Sequence, residues 1–72
     1  MTVGEKLRNY MKRRGFKQAS VAEHIGITKQ ALNYSLNGKT KMNADAFVAA
    51  CEFLQVSPDE VLREGTADGA MA

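Results

Sequence analysis

Apolar positions recur along this chain at helical spacing, and every segment predicts helix. Thr2 followed three residues later by Glu5 is a capping box. Val3, Leu7, Tyr10 and Met11 then repeat along one face until Gly15 ends the turn, which predicts a first helix near residues 3–14 with Lys6, Arg13 and Arg14 on its exposed side. Phe16 is expected to plug the core between the first and second helices. The second starts near Gln18, with Val21, Ala22 and Ile25 as its inner stripe, and Gly26 supplies the left-handed residue that turns the chain. Thr28 is placed to cap a third helix, in which Leu32 and Leu36 lie one turn apart and face inward, flanked by Ala31 and Ser35. Lys29, Gln30, Asn33, Tyr34 and Asn37 cover the opposite arc.

The pair Asn37-Gly38 ends that helix, and the loop Lys39-Thr40-Lys41 is short and basic. Asn43 can cap a fourth helix near residues 44–55, whose Phe47, Ala50, Cys51 and Leu54 share a face. In Ser57-Pro58-Asp59-Glu60, Ser57 caps, Pro58 takes the first helical position and Glu60 completes the box. A short fifth helix is expected to follow with Val61 and Leu62 facing in. From Gly65 onward, GTADGAMA has small residues and no periodicity, so the expected organisation is one domain over residues 1–64 and a frayed tail over 65–72.

A chain of 72 residues, 44% hydrophobic and 25% charged, supports one small core and leaves little for a deep catalytic cavity. The single cysteine, Cys51, rules out an internal disulfide, and with one histidine, His24, there is no ligand set for a structural zinc. A reducing cytoplasm suits such a chain, and no cofactor is expected. The N-terminal MTVGEKLRNYMKRRG carries charges every few residues, so it reads as neither a signal peptide nor a membrane span. Charge changes the picture more. Residues 1–41 hold nine basic residues against two acids, whereas residues 42–72 hold one base against six acids. The molecule is therefore dipolar, with one end suited to a polyanion.

Two short helices joined by a tight glycine turn form a helix-turn-helix unit. Its geometry needs a small Ala22 where the third helix crosses, a positive φ at Gly26, and Ile25, Ile27 and Leu32 in the wedge between the helices. With the third helix anchored from behind, its polar arc points outward. QASVAEHIGITKQALNYSLNG, from Gln18 to Gly38, resembles the Cro/repressor-type (XRE-like) helix-turn-helix family, and FVAACEFLQVSPDEVL, from Phe47 to Leu62, is similar to that family's fourth and fifth helices. The resemblance covers about residues 3–63 and rests on an ordered set of elements, each weak alone.

That resemblance implies an all-α, compact five-helix lambda-repressor-like DNA-binding domain with the helix-turn-helix at helices two and three. Its family consists of transcriptional regulators of bacteria, phages and plasmids that usually bind DNA as dimers. The implied function is a sequence-specific double-stranded DNA-binding regulator, a repressor binding a palindromic operator, with the third helix in the major groove. Gln30 and Asn33 suit adenine, Lys29 suits guanine, and Tyr34 offers a ring to a thymine methyl or a hydroxyl to a phosphate. Gln18 and Thr28, at helix N-termini, and Arg14, Lys17, Asn37, Lys39 and Lys41 are the expected phosphate contacts. The homodimer is expected to be small, could form only on DNA, and would use the end of the fourth helix, the fifth helix or the tail.

This sequence departs from the family pattern in three places. Lys17 stands where a serine or threonine cap is common, and Ser35 stands where a large apolar residue is common. Gln55 replaces the usual glycine after the fourth helix, so a non-glycine residue is expected in the left-handed region. Cys51 reads as a buried structural residue, His24 as surface, and Met11 and Met42 as core or loop fillers. Phe53 either fills space left by Ser35 or joins a dimer seam. The competing reading is an antitoxin or adaptor-like module that binds a protein partner through the acidic C-terminal half. An enzyme lacks support, since no nucleophile–base pair, metal cluster or phosphate-cradling glycine loop is present.

Overall fold

The computed structural model describes residues 2–63, and the tail expected at 65–72 lies outside them. Among the described residues there are five helices and no strand: α1 (Val3–Arg14), α2 (Gln18–Ile25), α3 (Lys29–Leu36), α4 (Ala44–Leu54) and α5 (Pro58–Leu62). Each helix begins as its local sequence dictates. The Thr2 hydroxyl accepts from the Glu5 N–H at 3.1 Å while the Glu5 carboxylate accepts from the Thr2 N–H at 2.8 Å, closing the capping box. Thr28, Asn43 and Ser57 cap α3, α4 and α5 by accepting from first-turn N–H groups on their side chains, and at α5 this is the one half of the expected Ser57–Glu60 box that forms. Lys17, which has no oxygen to offer, precedes α2 without a side-chain cap, yet the helix still begins at Gln18.

Four helices end on one device, in which the residue after the helix turns left-handed and two backbone N–H groups return to the last turn. Gly15 and Gly26 supply it after α1 and α2 at φ of 81° and 79°, and after α3 the left-handed residue comes one position later, at Gly38 with φ 77°, beyond Asn37 at φ −93°. After α4 the position falls to Gln55, at φ 57°, while the Val56 N–H reaches the Cys51 carbonyl at 3.0 Å. The non-glycine left-handed residue expected there is observed.

Among the described residues the core is one cluster of twelve buried side chains, in which Leu7, Val21, Leu32, Leu36, Ala50 and Val61 have no exposure. α3 rests on α1 and α2, α4 on α2, and α5 on α1 and α4, so the third helix is supported from behind by the first two. Its seat is set by Gly4. A Cβ at this position would lie 1.8 Å from the Ser35 carbonyl oxygen, so the backbones of α1 and α3 cross too closely for any side chain.

That crossing explains one departure from expectation. Gly4 occupies the inward position of the first turn, which leaves Val3 rotated outward and 38% exposed instead of in the apolar stripe. Leu62 departs similarly: in a helix of five residues Val61 takes the inner place and Leu62 is 37% exposed. Its carbonyl accepts from Lys6 Nζ at 3.0 Å, so Lys6, expected on the exposed side of α1, serves the end of α5. Phe16, Ile25 and Ile27 are half-buried against the core. Phe53 does not fill in for Ser35. It packs at an angle on His24, with ring centres 4.7 Å apart, and edge-on to Phe16 at 6.0 Å, whereas Ser35 Oγ meets Thr40 Oγ1 at 3.1 Å.

Candidate nucleic-acid interface

Leu32 and Leu36 are fully buried, which fixes the rotation of α3 and sends Lys29, Gln30 and Tyr34 to the outside. Gln30 Nε2 donates to the Tyr34 hydroxyl at 2.9 Å, one turn further along, and Lys39 Nζ lies 5.6 Å from the centre of the Tyr34 ring. The pairing braces Gln30 without consuming it. Its carbonyl oxygen and second amide N–H remain, which is the donor–acceptor pair that the edge of adenine presents.

Asn33 is placed differently. It is half-buried and spends both amide atoms inside the protein: Nδ2 donates to Gln18 Oε1 at 3.2 Å, and Oδ1 accepts from Asn37 Nδ2 at 2.9 Å. Asn37 in turn accepts on Oδ1 from Arg8 at 2.8 Å. The structure therefore brings Gln18, Asn33 and Asn37, expected on separate duties, into one hydrogen-bonded row with an arginine that sequence reasoning did not single out. No motif marks Arg8. Its only signal is a rim position beside the buried Leu7.

The remaining expected contacts surround this row. The Thr28 side chain accepts from the Ala31 N–H at 3.0 Å, so it caps α3. Lys17 is exposed beside Gln18, at the start of α2. Lys41 borders a recess of about 260 Å³ shared with Tyr34, Met42 and Ala46, on the flank of α3. Arg14 stays with α1, its guanidinium 5.7 Å from the centre of the Tyr10 ring. Gly4 was also missed, because nothing in a helical glycine announces the backbone it will meet.

Two groups outside the polar face have shifted ionisation. Glu5 is held below the usual carboxylate range, first by the Thr2 backbone N–H that it accepts. Burial pushes the Cys51 thiol up. Among the described residues no cluster of His, Cys, Asp and Glu could hold a metal ion, and no helix is long and apolar enough to cross a membrane.

Comparison with known proteins agrees with the fold. A family model described as helix-turn-helix domain matches residues 2–63. The solution structure of the DNA-binding domain of the P22 c2 repressor is 28% identical, with 90% of this chain and 84% of that one covered and a TM-score of 0.74. The crystal structure of the P22 c2 repressor in complex with synthetic operator 9T is 26% identical, covering 85% and 92%, with a TM-score of 0.69. The clp gene regulator ClgR from Corynebacterium glutamicum shares the fold at a TM-score of 0.82 and 22% identity, over 96% of this chain and 73% of that one. No curated protein matches the chain.

Proposed function

The chain belongs to the helix-turn-helix domain family, which is not a family of enzymes, and from that premise we propose that it is a double-stranded DNA-binding transcription regulator. α3 lies in the major groove, with Lys29, Gln30 and Tyr34 facing base edges. Gln18, Lys17, Lys39 and Lys41 face the phosphates on either side, with Thr28 and Arg14 at the margins. The protein acts as a repressor in the cytoplasm, and two copies meet on a palindromic operator, one on each half-site.

One observation carries this reading. The apolar side of α3 is wholly buried while Lys29, Gln30 and Tyr34 are exposed on a helix seated against α1 at Gly4, so the polar face is held rigidly toward solvent. The likeness to an operator-bound repressor supports it. Selection of bound duplexes from a random pool tests it. Enrichment of two inverted half-sites about one helical turn apart is the expected result. A pool that stays random after repeated rounds removes the sequence-reading role, and a single unpaired half-site removes the dimer.

A further inference from the structure

The row linking α1, α3 and α2 has a direction. Arg8 Nη1 donates to Asn37 Oδ1, Asn37 Nδ2 donates to Asn33 Oδ1, and Asn33 Nδ2 donates to Gln18 Oε1. Each amide accepts on its oxygen and donates from its nitrogen, so the charge on the guanidinium polarises every link in the same sense. Gln18 is the last member. Its oxygen is consumed, and what remains is Nε2 with both N–H groups, at the first position of α2.

We propose that Arg8 is a positioning residue for the DNA face: through Asn37 and Asn33 it locks the Gln18 amide with its oxygen inward and its N–H groups outward, toward a phosphate. An amide left to rotate presents oxygen to the anion half the time; the row removes that choice. Arg8 itself is poorly placed to meet the phosphate. Its Nε is buried with no partner among the described residues, and its Nη1 is spent on Asn37 Oδ1. Asn33 and Asn37 thereby act through Gln18 and not as independent contacts. The proposal rests on the reading of this face as a DNA surface.

The test uses the full chain, labelled with ¹⁵N, and a mixed-sequence DNA duplex. Arg8→Met removes the head of the row, and Asn37→Ala cuts it in the middle while leaving Arg8 and the core in place. Either substitution is expected to move the side-chain NH₂ signals of both Asn33 and Gln18 in the free protein. Each should also weaken duplex binding by up to about twofold, because an amide free to rotate still presents its N–H groups half the time. The slope of log affinity against log salt should not change, because the phosphate partner is a neutral amide. In a Gln18→Ala background neither change should cost further affinity, and Arg8→Lys, which keeps a charged donor, should recover much of the loss.

The proposal is overturned if the Gln18 signals stay where they are, if the losses add to that of Gln18→Ala, or if Arg8→Met lowers the salt slope by about one unit, as a direct phosphate contact would. A parent chain that fails to bind the duplex defeats the DNA reading itself. In that case the NMR signals alone still decide whether the row orients Gln18.

Discussion

At Gly4 a single added methyl would penetrate the carbonyl of Ser35, and the obstacle is backbone that cannot rotate aside. Alanine favours a helix over glycine by about 1 kcal/mol, but overpacking of a tight crossing costs about 1–3 kcal/mol or more, so the clash should win. Gly4→Ala is expected to lower the urea midpoint; an unchanged or raised midpoint would show that the two helices can separate freely. Gln55 is the opposite case. At φ 57° it occupies a conformation that disfavours a side chain, and Gln55→Gly is expected to stabilise by about 0.5–1 kcal/mol, read as a Tm a few degrees higher. The strain at Gln55 was legible because it follows from position: Gln55 stands where the family pattern has the left-handed glycine after the fourth helix. The role of Gly4 was not, because it depends on which distant backbone arrives there.

Among the elements, α3 and the loop after it carry the two proposed roles, base reading at Gln30 and phosphate contact at Lys39. Gln30→Ala should cost about 1–3 kcal/mol on a preferred site and relax base preference there, since it removes a paired donor and acceptor. Lys39→Ala should weaken all sequences alike and flatten the salt dependence. Competition binding with a single-base substitution series distinguishes them, and equal loss on every sequence for Gln30→Ala would remove it as a reader. The helices themselves were legible from caps and glycines, and their boundaries follow those signals closely. Reading failed at the ends: for Val3 because Gly4 takes the inward place of the first turn, and for Leu62 because a five-residue helix offers too few repeats to fix which way a side chain points. The polar face was legible as a set of residues. Its internal wiring was not, because Arg8, Asn37, Asn33 and Gln18 meet only once three helices are packed.

The whole molecule is a small core with an uneven charge envelope, basic in residues 1–41 and acidic beyond them. Its stability also depends on one buried thiol. Burial raises the pKa of the Cys51 thiol above its ordinary value of 9.0, so as pH climbs past that value the unfolded chain loses this proton before the folded one does, and the stability from the neutral thiol falls away. Tm should therefore decline more steeply above about pH 9 in the parent than in Cys51→Ala, and parallel declines would show that the thiol does not contribute. The main-chain seat beneath α3 has a different consequence. Side-chain fit can drift as a core is reshuffled, but a carbonyl lying against a glycine sets depth and tilt through covalent geometry. On the proposed reading of this face, such a chain acquires a new target by exchanging Lys29, Gln30 and Tyr34 alone, keeping its angle of approach to the duplex.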